Sequence, residues 1–260
     1  MSKSNLPILI VGTGGLARSL SIAIQKSGLQ IIGIISRGGA EATEFCRNNK
    51  LPLIPISQRI SEKCICIIAV PDTVINSVLN KLQITNDSII LHTAGSVDKS
   101  VLAEYAENYG VFYPLQTFHP STITDYSEVN VCLEANNEYT KTEIHKIAQL
   151  LTSHIYFLDS KQRLVLHLSA VFACNFSNLM YSVSYKLLAE SGIDYTLLHS
   201  LIKETAEKAT IHPPAEVQTG PAIRGDISTI NNHLSLLAGK EKELYQILSD
   251  IIRLKQITLR

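Results

Sequence analysis

The stretch "ILIVGTGGLARSL", residues 8–20, decides how the rest of the chain is read. Four apolar residues, Ile8 to Val11, run into Gly12, and Gly14 and Gly15 follow before an apolar, helix-compatible run starts at Leu16. The apolar run predicts a buried strand, and the run beyond the glycines predicts a helix over 16–26 that stops near Gly28. Gly12-Thr13-Gly14-Gly15-Leu16-Ala17 is therefore G-x-G-x-x-A set between a strand and a helix. In that setting each small residue has a physical task. Gly12 permits the sharp turn, Gly14 lets an anion approach the main chain, and Ala17 lets helix and strand pack closely. The N–H groups of the first helical turn then face the anion. A glycine-rich turn without a ligand is the alternative, and the strand–turn–helix setting favours a dinucleotide pyrophosphate.

Outward from this stretch, strands are predicted over 29–35, 64–70, 88–92 and 111–113. They alternate with helices over 40–48, 74–82 and 101–108. Strand and helix in strict alternation predict a parallel sheet with right-handed crossovers. The strands are apolar throughout, as they are when both sheet faces are covered. Beyond residue 158 strand-like runs stop. Residues 160–191 have helical periodicity with no internal Gly or Pro up to the end, about 45 Å of helix. Further helices are predicted near 195–209, 227–237 and 241–254. The expected fold is α/β: a doubly wound, mostly parallel sheet domain over 1–158, then a smaller all-α domain over 159–260. Residues 114–127 and 211–226 are the longest irregular stretches, and long loops in compact proteins are often functional.

Lys plus Arg and Asp plus Glu number 23 each, so nothing in the charge balance calls for nucleic acid or an anionic membrane. The five cysteines are odd in number and form no C-x-x-C pair, so no metal site is expected. Cys64 and Cys66 point to one face of a strand and read as small buried residues. The N-terminus carries no apolar leader segment, and no stretch approaches 18 continuous apolar residues. A cytoplasmic protein with a small-molecule substrate and no membrane partner is expected.

The second strand ends in Ser36-Arg37, with no acid to bind ribose hydroxyls. Serine and arginine suit a 2′-phosphate, which favours NADP over NAD; a solvated loop is the alternative for Arg37. Two further strand ends, Val70-Pro71 and His92-Thr93-Ala94-Gly95, are expected to edge the cofactor crevice. Asp72 or Thr73 is placed to cap the following helix. His92 is either a proton donor or a hydrogen-bonded strand-end histidine. Gln116, Thr117 and His119 lie on a loop near the crevice. On the long helix, which otherwise reads as core, His167, Asn175 and Asn178 fall on one side, as substrate or nicotinamide contacts or as interhelical hydrogen bonds. In "TGPAIRGD", 219–226, Asp226 or Ser228 caps the next helix, and Arg224 either clamps a substrate carboxylate or pairs within the turn.

Together, Gly12–Ala17, "AVPD" at 69–72, "HTAGS" at 92–96, "YPLQTF" at 113–118, "HLSAVFACNF" at 167–176 and "TGPAIRGD" at 219–226 carry a family resemblance. Nearly the whole chain resembles the Rossmann-like proteins whose C-terminal half is a domain of unknown function (number 2520), loosely described as NADP-dependent oxidoreductases. More distantly it is similar to pyrroline-5-carboxylate reductase, ketopantoate reductase and the β-hydroxyacid dehydrogenases. The resemblance implies hydride transfer between nicotinamide and a small carbonyl, imine or alcohol carbon. It also implies a helical half of the 6-phosphogluconate dehydrogenase C-terminal type that forms a homodimer. One residue departs from it. The β-hydroxyacid dehydrogenases use a Lys and an Asn one helical turn apart; Asn175 matches the Asn, but Val171 stands at the Lys position. His167, one turn further back, is the replacement candidate. The departure also admits a non-catalytic NADP-binding sensor or scaffold, and a deazaflavin is a less favoured cofactor.

Overall fold

A computed structural model of the chain describes residues 6–258 apart from residue 121. Its sheet has eight strands in the order β3-β2-β1-β4-β5-β6-β7-β8. They are β1 (Ile8–Val11), β2 (Ile31–Ile35), β3 (Leu53–Ile54), β4 (Ile65–Ile68), β5 (Ile89–His92), β6 (Asn108–Leu115), β7 (Asn130–Ala135) and β8 (Ile155–Phe157). All neighbours are parallel except β6 and β7. Helices α1 (Gly15–Lys26), α2 (Ala40–Asn48), α3 (Ile75–Leu79) and α4 (Glu138–Leu151) complete the layers. The reversal of strand order beside β1 brings the carboxyl ends of β1 and β4 together, where open α/β sheets bind ligands.

Alternation along the strands builds two cores. Ile8, Ile10, Ile65, Ile67, Ile89 and Leu91 pack with Leu20 and Ile24 of α1 and Ile144 and Ile147 of α4. Leu9, Val11, Cys64, Cys66, Ile68 and Ile90 pack on the other face with Ile75 and Leu79 of α3. A strand covered on both faces has no polar side to show, which is why these runs are apolar at every position.

One expectation is corrected here, and one stretch gains its elements. No α-helix occupies 101–108: a short 3₁₀ turn spans Lys99–Leu102, and β6 starts at Asn108, paired with Ile89 of β5. Only Leu102 of that turn is buried, so sheet pairing overrides a weak helical preference. Residues 130–157, left unassigned by periodicity, form β7, α4 and β8. Asn137 caps α4 by accepting the Thr140 N–H.

By packing, the chain divides into residues 1–174 and 175–260. Helix α5 (Ser160–Ala170) lies in the first part, beyond the break near 158 suggested by composition. A buried charge cluster holds it there. Arg163, 1% exposed, pairs with Glu134 of β7 and donates to the Val97 carbonyl. Ser160 Oγ and Lys99 Nζ donate to the same carboxylate at 2.7 and 2.6 Å. Asp159 and Gln162 close a capping box at the start of α5.

The second part contains α6 (Ser177–Glu190), α7 (His199–Ile211), α8 (Pro221–Arg224), α9 (Ile227–Leu236) and α10 (Gly239–Thr258). Asp226 caps α9 as expected, accepting the Thr229 N–H at 3.0 Å. Lys186 of α6 pairs with Glu241 of α10 at 2.7 Å. A π-helical turn, Val171–Phe176, joins α5 to α6. The reading of residues 160–190 as core does not hold within one chain: Leu164, Val165, Leu168 and Phe172 are exposed, as are Phe176 and Leu179. Periodicity reports that this surface avoids water, not what covers it. By length and composition the same helix could span a membrane. Its first turns, however, are tied to the sheet by Arg163 and His167.

Candidate functional site

The glycine turn occupies the switch point beside β1. Gly12 has φ +123°, a region closed to most side chains, and its amide donates to Ile35 of β2 at 2.8 Å. A Cβ built there would meet the Ala69 carbonyl oxygen at 2.1 Å, so Gly12 is required by its packing against the end of β4. Gly14 is different. Its φ and ψ, −71° and 178°, suit any residue, and among the described residues no atom beyond its chain neighbours lies within 4 Å of a Cβ built on it. Gly14 is the N-cap of α1, and no side chain caps that helix. The fold itself therefore supplies no reason for glycine at 14. Ala17 is buried and Leu16 packs at the edge of the core, as the tight helix–strand approach requires. The loop containing Phe118 and His119 lies directly against Gly15, its carbonyl oxygen 2.8 Å from a built Cβ.

At the end of β2 the hydroxyls of Thr13 and Ser36 are 3.2 Å apart, and the Gly38 amide donates to Ser36 Oγ. Arg37 is exposed. Val70 and Pro71 leave β4 at the same edge of the sheet. Asp72 does not cap the 3₁₀ turn it begins; its carboxylate accepts Ser96 Oγ at 2.5 Å, bridging two strand-end loops. Thr93 Oγ1 donates to Ile68 O at 3.3 Å and makes a second tie between them.

His92 is fully buried, and its Nδ1 accepts the Ala94 amide at 3.2 Å. Burial pushes its pKa down to about 4, with the Arg163 guanidinium adding to the shift. Through the bond from Ala94 the buried imidazole holds the turn that follows β5. His167 has a different setting. Its Nδ1 is 3.0 Å from the Tyr113 hydroxyl of β6, with the rings edge-on. Both groups press on Gly95: a Cβ there would lie 2.6 Å from His167 Nδ1 and 2.9 Å from Tyr113 Cζ. Burial pushes the Tyr113 hydroxyl up to about 12, so it stays protonated at neutral pH. Tyr113 was missed in the sequence because it read as an apolar strand residue. Its signal was alternation: Val111, Tyr113 and Cys132 share one small cluster.

Gln116 sits on its own loop, its Oε1 accepting the Thr117 amide at 2.8 Å. Asn175, Asn178 and Arg224 belong to the second part of the chain and are exposed. Along the chain, the π turn Val171–Phe176 separates His167 from Asn178. Arg224 contributes to the charge that holds the Asp226 carboxyl below its usual range, after the Thr229 hydrogen bonds. No group of metal-ligating side chains occurs among the described residues.

Comparison with known proteins agrees with this geometry. A family described as a domain of unknown function (DUF2520) matches residues 129–252. A Bacteroides fragilis protein, BF3122, provisionally named an NADP oxidoreductase, is 33% identical with a TM-score of 0.89, over 97% of this chain and 99% of its own. The chain belongs to this family. Protein TM1727 from Thermotoga maritima, at 22% identity and TM-score 0.71, covers 97% of this chain and 99% of its own and shares the fold. So does the pyrroline carboxylate reductase of Plasmodium falciparum, solved with NADP bound, at 13% identity and TM-score 0.59 over 97% of this chain and all of that one. A comparison with curated proteins returns no match. Family membership accounts for the Rossmann-type sheet and for the DUF2520 match, which begins on the last residue before β7.

Proposed function

We propose that the protein is an NADP-dependent oxidoreductase acting on a small carbonyl, imine or alcohol. The observation that carries this is Gly14: unstrained, unhindered, and at the uncapped start of α1. Ligand chemistry explains it; folding does not. The names of the Bacteroides relative and the NADP-bound Plasmodium reductase support the cofactor assignment. The α1 amides and Gly14 would hold the pyrophosphate, and Ser36 with Arg37 the 2′-phosphate. Val70, Pro71 and Thr93 to Gly95 would flank the nicotinamide half. When bound, the cofactor supplies or accepts the hydride.

The chain's own part is binding, water exclusion and proton handling. If Tyr113 donates to Nδ1, neutral His167 presents its Nε2–H as a hydrogen-bond donor that would stabilise a developing alkoxide or amine nitrogen. Asn175, Asn178, Arg224 and Gln116 remain candidates for substrate contacts. Exposed apolar side chains along α5, α6, α7, α9 and α10 support a homodimer through the helical part. Five free cysteines, four of them buried, support a reducing, cytoplasmic setting.

The test is a calorimetric titration with NADPH, then turnover against a panel of 2-oxo acids and cyclic imines followed by nicotinamide absorbance. Binding with turnover supports the reading. Binding without turnover across the panel favours the sensor, the reading to which Val171 lends weight. Sedimentation velocity tests the dimer.

A further inference from the structure

Arg18 is the one charged residue of the opening stretch that the cofactor fingerprint does not use. It lies on the first turns of α1, and its side chain turns back toward the glycine loop. Its Nε donates to the Thr13 carbonyl at 2.8 Å. Its guanidinium carbon sits 5.4 Å from the centre of the Phe45 ring on α2. Nη2 reaches Glu41 Oε2 at 3.3 Å. Arg18 is thus pinned on two sides, by a carbonyl and by an aromatic face, with a side chain 16% exposed, while Glu41 is 87% exposed. Thr13, whose carbonyl holds Arg18, also meets Ser36 through its hydroxyl.

The surroundings favour an anion. Helix α2 begins at Gly39 with no side-chain cap. Gly38 and Gly39 both have positive φ and open space above them. Arg37 stands beside them in the sequence. Glu41, in the first turn of α2, is the acid that pairs with Arg18. An exposed carboxylate gains little from such a pair and exchanges readily. A phosphate dianion, which accepts planar guanidinium donors in pairs, would gain more.

We propose that Arg18 is a second guanidinium of the adenosine 2′-phosphate site, and that Glu41 is the competing anion that limits its strength. This rests on the dinucleotide reading above and adds to it a residue that sets NADP-over-NAD preference. Arg37 supplies charge from a solvated loop, whereas Arg18 supplies it from a fixed position.

The experiment measures dissociation constants of the full-length protein for NADPH and NADH, and for adenosine 2′,5′-bisphosphate against 5′-AMP. Wild type is compared with Glu41→Gln, Arg18→Gln and Arg18→Lys, the fold of each checked by thermal melting. Glu41→Gln should tighten NADPH and the bisphosphate about three- to tenfold, the scale of removing one screened like charge beside a dianion. NADH and 5′-AMP should change less than twofold. Arg18→Gln should weaken the 2′-phosphorylated ligands at least tenfold more than the others, and Arg18→Lys should recover part of the loss. The preference should shrink as salt rises.

An unchanged NADPH-to-NADH ratio in both Glu41→Gln and Arg18→Gln overturns this proposal and leaves the dinucleotide reading standing. Weaker NADH binding in Glu41→Gln also overturns it, since Glu41 would then be a ribose ligand. Failure of the wild-type protein to bind any of the four ligands overturns both.

Discussion

Gly12 and Gly14 are two residues apart and should respond to substitution in opposite ways. In Gly12→Ala the new Cβ would lie 2.1 Å from the Ala69 carbonyl oxygen, more than 1 Å inside an ordinary contact. That carbonyl belongs to a segment tied to β1 by the Ala69 amide, which donates to Val11 O at 2.8 Å, so it cannot retreat without breaking the sheet. The φ of +123° adds about 1–3 kcal/mol of backbone strain for an L-residue. With the clash, a loss above about 3 kcal/mol is expected, a large share of the roughly 5–15 kcal/mol of a typical fold. For a unit of this size that lowers Tm by roughly 6–12 °C. In Gly14→Val nothing within 4 Å opposes the Cβ, and the less favourable N-cap residue should cost no more than about 1 kcal/mol. Two methyl groups would instead stand where the pyrophosphate must approach. NADPH should bind at least about a hundredfold more weakly, or ~2.7 kcal/mol. Thermal melting and calorimetric titration on both variants decide the matter. If Gly14→Val bound NADPH with wild-type affinity, the ligand explanation of that glycine would be wrong. If it unfolded as readily as Gly12→Ala, Gly14 would be a packing residue after all.

Three more predictions follow from the same geometry. Gly95→Ala would drive a methyl into both His167 and Tyr113; turnover should fall at least tenfold while NADPH affinity holds, and the His167 ring ¹⁵N shifts should move with it. In Glu134→Gln, Arg163 would lose its buried counter-charge, at a cost of about 3–5 kcal/mol read by urea denaturation. Burial alone would raise the Glu134 carboxyl, but hydrogen bonds from Lys99, Ser160 and Arg163 outweigh it and hold the group below its usual range. Its stabilising contribution is therefore complete above about pH 4.5 and fades as pH falls through the lower folded value. His92 acts at higher pH. Its pKa is near 4 in the folded chain and about 6.5 when unfolded, so the unfolded state takes up the extra proton between them. Stability should drop by about 3 kcal/mol as pH falls from 6.5 to 4, and His92→Asn should flatten that slope in pH-dependent melting curves. A slope unchanged in the variant would show that His92 titrates normally.

The sequence by itself determined the doubly wound sheet and its glycine turn, because both are local. A strand buried on two faces must be apolar at every position, and a chain reversal at Gly12 needs a residue without a side chain. The edges of α2 and the Asp226 cap were legible for the same reason: each depends on neighbours within a few positions. What depends on distant partners was not. The crossover at 101–108 has helical spacing but yields to pairing between Asn108 and Ile89. Residues 130–157 hold β7 and β8, which pair with each other from either side of α4, while β7 also pairs with β6 across a long loop. Tyr113 and His167 are 54 positions apart and meet where α5, held by the Glu134–Arg163 pair among other ties, packs against β6. The long apolar helix is the converse case. Its composition records an aversion to water, and only the tertiary structure revealed that its own chain leaves it uncovered.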